Sequence, residues 1–294
     1  MAALPHDPPP VALITGCTSG IGLAAAEDLA GKVQRLVLVG RSREKLDQLA
    51  ARLAGRGAQL EVIVGELGER AAVRGVAEAF LAAHDRLDLL VNNAGVYNQE
   101  RKLTADGVEE TFAVNHLGYF DLTLRLLPAL RAAGAARPPA RVVNVASDAH
   151  KAGTMAWDDL ERAGAYAQGW PSYGQSKLAN ILFTRELARR LGSAPIVTHA
   201  LHPGFVNTGF ARNNGWLGNF IMNISRPFQR SPADAAKTIS YLGFDPLPAQ
   251  SSGGYWYKER PSRPTAAAQD PAAAARLWAL SLERCGFASD PLPG

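Results

Sequence analysis

The chain has 294 residues, of which 47% are hydrophobic and 20% charged, and this is enough for one large domain with a substantial core. Its 31 basic and 27 acidic residues give a formal charge of +4 without a block of Lys or Arg, which argues against nucleic acid as a partner. No apolar run reaches the roughly 18 residues of a membrane span, and two cysteines are too few for a disulfide framework, so we expect a cytoplasmic protein without a membrane anchor.

The order of the predicted elements indicates the fold class. Residues 1–9 lack the basic and apolar regions of a signal peptide, and we expect a disordered lead. Strand-like apolar runs then alternate with stretches of helical periodicity, and the runs cover 10–15, 35–40, 60–65, 88–93, 141–147 and 195–203. Continuous apolar strands separated by helices predict an α/β domain with a doubly wound parallel sheet of the Rossmann type over residues 10–258. Residues 259–294 predict a Pro/Ala-rich linker and a C-terminal helix.

The first chemical motif is TGCTSGIG, residues 15–22, where the first strand should turn into the first helix. Gly16 permits a tight turn, Gly20 lets the backbone approach a pyrophosphate, and Gly22 lets strand and helix pack closely. The helix N-terminus would face the negative charge of that pyrophosphate. The motif predicts a dinucleotide site, and a plain Gly-rich turn is the alternative.

The segment after the second strand bears on the choice of cofactor. NAD-binding folds usually carry Asp or Glu here to bind the ribose hydroxyls, whereas this chain has Arg41, followed by Ser42 and Arg43. Since a guanidinium accommodates the 2′-phosphate, the segment predicts NADP(H) as the cofactor. An exposed Arg that binds no cofactor is the alternative.

A Tyr and a Lys stand four positions apart in YGQSK, residues 173–177. In a helix that spacing places Tyr173 and Lys177 on the same face, one turn from each other. A free phenol titrates near about 10, and an adjacent ammonium favours the phenolate, so the pair predicts a proton donor and acceptor that works near neutral pH. A packing Tyr and a solvated Lys are the ordinary alternative.

The chain resembles the short-chain dehydrogenase/reductase family through motifs that occur in family order: TGCTSGIG, NNAG at 92–95, Asn115 in AVNHLG, Ser147 at the end of VNVAS, YGQSK, and HPG at 202–204. The resemblance spans about residues 10 to 285. Within the family, SYGQSKLANILFTRELARRL and HPGFVNTGF are most similar to the retinol-dehydrogenase-like branch.

The resemblance implies an oxidoreductase with a catalytic tetrad of Asn115, Ser147, Tyr173 and Lys177. Tyr173 would exchange a proton with the substrate oxygen while hydride moves to or from the nicotinamide. Ser147 would hydrogen-bond the same oxygen. Asn115 would support a water chain to Lys177, although a buried helical Asn is also a good structural hydrogen-bonder.

The expected cofactor contacts come from the Gly-rich turn, from strand ends and from the segment after HPG: Gly16, Thr18, Ser19, Gly20, Ile21, Gly22, Arg41, Glu66, Leu67, Asn93, Ala94, Gly95, Tyr173, Lys177, Pro203, Gly204, Val206 and Thr208. Glu66 stands where many relatives carry Asp, so the adenine contact there depends on the Leu67 backbone. Asn92 is expected to brace neighbouring strands. The histidines lack metal-ligand spacing, and no metal is expected.

Large apolar side chains lie in two segments beside the predicted cofactor site. The first segment contains Trp157, Tyr166 and Trp170, and the second contains Phe205, Phe210, Trp216, Phe220, Ile221, Met222 and Phe228. They predict a lid at about 205–230 over a hydrophobic small molecule, an aldehyde or ketone of retinoid, steroid or polycyclic type. A packed helix or a homo-oligomer surface is the alternative, and contact of 216–222 with lipid stays open.

Two other classes of function stay open at this point. A double-bond reductase, an epimerase or a lyase on the same fold would keep the Tyr and the Lys. A non-catalytic NADP-binding regulator would lose the tetrad, and the presence of all its members disfavours that class.

Overall fold

The computed structural model describes residues 10–136, 139–164, 166–204 and 231–292. Eight strands form one sheet in the order β3-β2-β1-β4-β5-β6-β7-β8. They are β1 Val11–Thr15, β2 Arg35–Gly40, β3 Gln59–Val64, β4 Leu89–Asn92, β5 Ala140–Val145, β6 Ile196–Leu201, β7 Gly254–Tyr257 and β8 Arg260–Pro261. Strands β1 to β7 pair in parallel, and β8 adds an antiparallel edge. The predicted doubly wound parallel sheet is confirmed.

Helices connect the strands and cover the sheet. They are α1 Gly20–Leu29, α2 Arg43–Leu53, α3 Arg70–Ala83, α4 Glu110–Phe112, α5 Gly118–Arg125, α6 Leu127–Ala136, α7 Trp170–Leu191, α8 Pro232–Phe244 and α9 Pro271–Arg284. A single π-helical turn, Ala113–Leu117, joins α4 to α5. None of the helices in these described parts of the chain has both the length and the apolar character that a membrane span needs.

Successive residues of the strands face two separate cores. In β1, Val11 and Leu13 belong to the core on one face, while Ala12 and Ile14 belong to the core on the other. Because both faces are covered, every residue of β1 is buried, and the strand reads in the sequence as a continuous apolar run without polar alternation.

The C-terminal helix α9 packs into the first of these cores. Trp278 is 2% exposed, and its ring lies 4.9 Å from the ring of Phe120 and 6.1 Å from that of Phe183 between centroids. The Trp278 indole also donates a hydrogen bond to Asp290 at 2.8 Å. The helix therefore covers α5 and α7, the two helices nearest to the site described below.

The six strands predicted from apolar runs are present, each with ends within two residues of the prediction. Strands β7 and β8 were not predicted, because they are short and are flanked by Gly and Pro. Helix α7 begins at Trp170 and carries Pro171 in its first turn, a position that tolerates proline. The predicted lead at 1–9 and the predicted lid at about 205–230 lie outside the described residues.

Candidate active site

The carboxyl ends of β1 and β4 meet at the point where the strand order reverses. The Thr15 hydroxyl accepts hydrogen bonds from the backbone N–H groups of Asn93 at 2.9 Å and Ala94 at 3.0 Å. In the next pair of strands, the Asn92 amide donates to Asn144 Oδ1 of β5 at 2.9 Å, so Asn92 braces two strands as expected. In open parallel sheets this crevice is where ligands bind.

Glycine is required at two positions of the turn after β1. Gly16 has a φ of +66°, and a Cβ there would lie 2.5 Å from the Cα of Ala94. A Cβ on Gly22 would lie 2.3 Å from both Asn93 Nδ2 and the Gly16 carbonyl oxygen. The glycines therefore allow β1, α1 and the segment after β4 to approach one another more closely than side chains would permit.

The start of α1 fits a pyrophosphate. The helix begins at Gly20, with Ser19 at the N-cap, yet the Ser19 side chain makes no capping hydrogen bond. No acidic residue stands in the first turn of α1. The backbone N–H groups of this turn are thus left for an external anion, which the helix dipole favours, and Thr18 and Ile21 flank the same turn.

Arg41 and Glu66 follow adjacent strands, β2 and β3, and form an ion pair. Arg41 Nη1 lies 3.6 Å from Glu66 Oε2, and the Arg41 side chain is 64% exposed. Ser42 and Arg43, which follow Arg41, are engaged at the start of α2. Ser42 Oγ accepts from the Lys45 N–H at 3.3 Å, and Arg43 pairs with Asp47. Arg41 is therefore the guanidinium that remains beside the crevice, with a carboxylate next to it.

Three of the predicted catalytic side chains meet at the carboxyl end of β5. Ser147 follows this strand, and its side chain faces the Tyr173 phenol, whose pKa it lowers. Lys177 is only 4% exposed, donates to the Val145 carbonyl at 3.0 Å, and places Nζ 5.6 Å from the centroid of the Tyr173 ring. Ser147 Oγ also accepts from the Ala149 N–H at 3.2 Å, so Ser147 caps a short turn as well.

Asn115 lies in the π-helical turn and joins two parts of the site. Its Oδ1 accepts from the Val96 N–H at 2.8 Å, and its Nδ2 donates to the Val96 carbonyl and to Ser176 Oγ, both at 3.0 Å. A Cβ built on Gly95 would lie 3.3 Å from Asn115 Oδ1 and 3.8 Å from Lys177 Nζ. The Asn115 side chain therefore has a structural role, and its predicted support of a water chain stays a prediction.

Burial sets the protonation states of Tyr173 and Lys177. It raises the pKa of Tyr173 to about 12, against the opposing effect of the Ser147 side chain, and it lowers the pKa of Lys177 to about 7. The direction for Tyr173 is opposite to the predicted one, because desolvation outweighs the attraction of an amine that itself loses its charge readily. The phenol is accordingly a protonated acid, the form that can donate a proton.

His150 holds the backbone of Ser147, a role that the sequence does not indicate. This fully buried ring makes a 2.8 Å hydrogen bond from Nδ1 to the Ser147 carbonyl, while Nε2 faces the Thr265 N–H at 3.3 Å. Because Nε2 must accept from that N–H, Nδ1 is the nitrogen that donates. Burial lowers the pKa of His150, which keeps the ring in this neutral form.

Glu109 connects the helix of Asn115 with the segment before Tyr173. Its buried carboxylate accepts from the N–H groups of Thr111 at 2.9 Å and Phe112 at 2.8 Å, and so caps α4. It also accepts hydrogen bonds from the hydroxyls of Tyr166 and Ser172. Glu is not among the residues that helix N-caps prefer, so the sequence indicates neither this cap nor its two long-range partners.

The three aromatic side chains predicted near the substrate have different environments. Trp157 packs beneath the Arg276 guanidinium, whose Cζ lies 4.6 Å from the centroid of the Trp157 ring. Tyr166 is hydrogen-bonded to Glu109, so both side chains have structural roles. Trp170 is 60% exposed and lies beside Tyr173, with 6.4 Å between the ring centroids. Only Trp170 of the three is thus both exposed and close to the Tyr173 phenol.

The remaining predicted contacts lie at or beyond the end of β6. Pro203 and Gly204 follow this strand, and the Gly204 N–H donates to His202 Nδ1 at 3.0 Å. Val206 and Thr208 lie outside the described residues. Among the residues that are described, no group of three or more His, Cys, Asp or Glu side chains is arranged to hold a metal.

The chain is similar in sequence to a known protein family and to named dehydrogenases. The family described as short chain dehydrogenase matches residues 10–215. Retinol dehydrogenase 12 of Homo sapiens is 36% identical, with 95% of this chain and 87% of that protein covered. Polyprenol dehydrogenase of Mus musculus is 37% identical, with 96% of this chain and 86% of that protein covered.

Solved structures show the same fold. A crystal structure of an uncharacterised protein from Mycobacterium Paratuberculosis has a TM-score of 0.75 and 31% identity, covering 94% of this chain and 93% of that one. The Pseudomonas aeruginosa RhlG/NADP active-site complex has a TM-score of 0.68 and 28% identity, covering 84% of this chain and 93% of that one.

We expect Lys177→Met to stabilise the protein more at pH 7 than at pH 10. An ordinary Lys has a pKa of 10.5, and burial lowers that of Lys177 to about 7. As the pH falls through this window, the unfolded chain takes up a proton that the folded protein does not, so the unmodified protein loses stability that the Met variant keeps. The measurement is the free energy of unfolding of both proteins at the two pH values.

Lys45→Met on the exposed face of α2 is the matched control, because the same substitution there removes no buried amine. An effect of Lys177→Met that is identical at pH 7 and pH 10 would contradict the lowered pKa of Lys177.

Proposed function

The chain belongs to the short-chain dehydrogenase family, in its retinol-dehydrogenase-like branch, and we propose that it is an NADP(H)-dependent oxidoreductase for a hydrophobic aldehyde or ketone and the corresponding alcohol. The observation that carries the proposal is that Ser147 and the Tyr173 phenol meet beside the buried Lys177, whose Nζ lies 5.6 Å from the centroid of the Tyr173 ring. The names of the retinol and polyprenol dehydrogenase relatives support a lipophilic substrate.

The proposed binding of NADP(H) assigns a role to each part of the crevice. The bound cofactor supplies or accepts the hydride. The Gly16 turn and the N-terminus of α1 would hold its pyrophosphate, and Arg41 would contact the 2′-phosphate through charge-assisted hydrogen bonds. The carboxylate of Glu66, 3.6 Å from Arg41, would oppose that contact in part. The solved RhlG/NADP complex supports NADP as the cofactor of a structural relative.

In the proposed reaction Tyr173, Ser147 and Lys177 each have one role in a single proton transfer. In the reducing direction Tyr173, protonated because burial raises its pKa to about 12, donates to the carbonyl oxygen as that oxygen gains negative charge. The Ser147 hydroxyl hydrogen-bonds the same oxygen and fixes its position. Lys177, with a pKa of about 7, exchanges protons readily at neutral pH and can restore the Tyr173 proton through intervening water. In the oxidising direction these steps run in reverse.

The setting of the enzyme is also part of the proposal. Cys17 and Cys285 are both free and buried, which supports a reducing compartment such as the cytoplasm. The lid at about 205–230 and its contact with the substrate stay predictions, since those residues lie outside the described parts of the chain.

Replacing Tyr173 by Phe is expected to lower kcat for carbonyl reduction at least about 100-fold, because the ring still packs but has no proton to donate. The dissociation constant for NADPH and the midpoint of thermal unfolding should stay near those of the unmodified protein. The measurement is NADPH oxidation with a panel of apolar aldehydes and ketones, together with NADPH titration.

Tyr241→Phe on α8 is the matched control, since Tyr241 packs against the other face of the sheet. If Tyr173→Phe retained activity within a few-fold on a substrate that the unmodified protein reduces, the proton donor would have to be another group.

Substitutions at Arg41 and Glu66 should change the preference between the two nicotinamide dinucleotides in opposite directions. Arg41→Asp removes charge-assisted bonds of about 1.5–3 kcal/mol, so NADPH affinity should fall about 10- to 100-fold or more while NADH affinity changes little. Glu66→Gln removes a competing carboxylate at an exposed pair, a contribution of about 0.2–1 kcal/mol, and should raise NADPH affinity up to about fivefold.

The measurement is the dissociation constants of the unmodified protein and of both variants for NADPH and NADH, obtained by titration. Arg43→Asp is a suitable control, because Arg43 is paired with Asp47 inside α2. Equal constants for the two dinucleotides in the unmodified protein would contradict the assignment of NADP(H).

A further inference from the structure

Trp170 is exposed although its size favours burial. With 60% of its surface accessible, it has the largest exposed fraction among the large hydrophobic side chains of the described residues. Its neighbours are aromatic, since its ring centroid lies 5.1 Å from that of Tyr97 and 6.4 Å from that of Tyr173. The exposed indole therefore stands directly beside the phenol proposed to donate the proton.

The backbone that carries Trp170 is held in an unfavourable conformation. Three consecutive residues, Ala167, Gln168 and Gly169, have left-handed φ values of +42°, +57° and +81°. Such a run is costly for residues other than Gly, and it persists only where the surroundings impose it. Helix α7 begins immediately after this turn, so the turn determines where Trp170 is placed.

Contacts from two directions fix this turn. The Tyr97 phenol donates to the Gln168 carbonyl at 2.8 Å. The single hydrogen of the Tyr166 phenol is shared between Glu109 Oε1 at 2.9 Å and the Asn98 carbonyl oxygen at 3.1 Å. At Gly169 a Cβ would lie 1.9 Å from that same Asn98 carbonyl oxygen, so no other residue fits there. The indole is thus presented by a rigid support, as a preorganised binding surface would be.

The rings of Tyr97, Trp170 and Tyr173 lie together beside the proposed proton donor. The Tyr97 ring meets the Tyr173 ring edge to face, at 5.7 Å and 70°. A carbonyl that receives the Tyr173 proton must be within hydrogen-bond reach of that phenol. Because the rings of Tyr97 and Trp170 both neighbour the Tyr173 ring, the proposal places the groups attached to this carbonyl against them. Aromatic faces at this distance favour flat, unsaturated groups, which stack on them, over bulky saturated groups.

Building on the proposed carbonyl reduction, we infer that Trp170 and Tyr97 form an aromatic wall that selects substrates with a flat, conjugated group attached to the reacting carbonyl. Aryl and α,β-unsaturated aldehydes or ketones then bind more tightly than saturated ones of similar length. Trp170 determines specificity without taking part in proton transfer.

The test compares trans-cinnamaldehyde with its saturated counterpart 3-cyclohexylpropanal. Trp170→Ala is expected to raise KM for cinnamaldehyde about 3- to 10-fold, with KM for the saturated aldehyde changed less than about twofold and kcat for both largely kept. Trp170→Phe, which restores a flat ring, should recover most of the discrimination. Leu247→Ala, at another exposed apolar side chain, is the control that should change neither substrate.

The outcomes separate this inference from the proposed function. If Trp170→Ala changed KM equally for the two aldehydes, or changed neither, the aromatic wall would be overturned. The oxidoreductase proposal would still stand in that case, provided that the unmodified protein reduces both aldehydes. An unmodified protein that reduces neither would overturn the proposed function and the inference together. Sedimentation of Trp170→Ala completes the test, since dissociation of an oligomer would show that the indole serves a subunit contact instead.

Discussion

Burial of the Lys177 amine at the carboxyl end of β5 is the constraint on which the site depends. Nζ donates to the Val145 carbonyl, lies 5.6 Å and 5.9 Å from the ring centroids of Tyr173 and Tyr119, and approaches the glycine backbone at 95. A buried amine costs stability, and the fall in its pKa to about 7 expresses that cost. A buried amine with a lowered pKa marks a candidate functional site, and here it stands beside the phenol that we propose as the proton donor.

The elements around this amine are held by polar contacts that do no chemistry themselves. Asn115 joins the segment after β4 to α7, His150 fixes the Ser147 carbonyl, and Glu109 links α4 to the turn before α7. Each of these side chains is fully buried and makes hydrogen bonds to more than one element. The side chains of Ser147, Tyr173 and Lys177 are therefore positioned by a fixed framework, and in the proposed reaction this reduces the reorganisation needed when a substrate binds.

The sequence predicts those features that local pattern determines, and it fails where distant segments meet. Apolar runs predict β1 to β6, and the spacing of Gly16, Gly20 and Gly22 predicts the turn, because periodicity and steric need are both local. The pKa direction of Tyr173 could not be predicted, since it depends on how deeply three separate segments bury the phenol. The pairing of Arg41 with Glu66 arises likewise from neighbouring strands that are distant in the chain. Nothing in the sequence indicates the long-range partners of His150 and Glu109, and both emerge only from the packing.

We propose that the protein moves a hydride to a carbonyl carbon while Tyr173 protonates the oxygen. The most direct measurement uses NADPH labelled with deuterium at the transferred position of C4 and trans-cinnamaldehyde, which offers both a C=O and a C=C bond, followed by NMR of the product. We expect an alcohol with deuterium on the carbon that bears the oxygen and with an intact double bond. A saturated aldehyde with deuterium on the carbon distal to the carbonyl, or a product without deuterium, would contradict it.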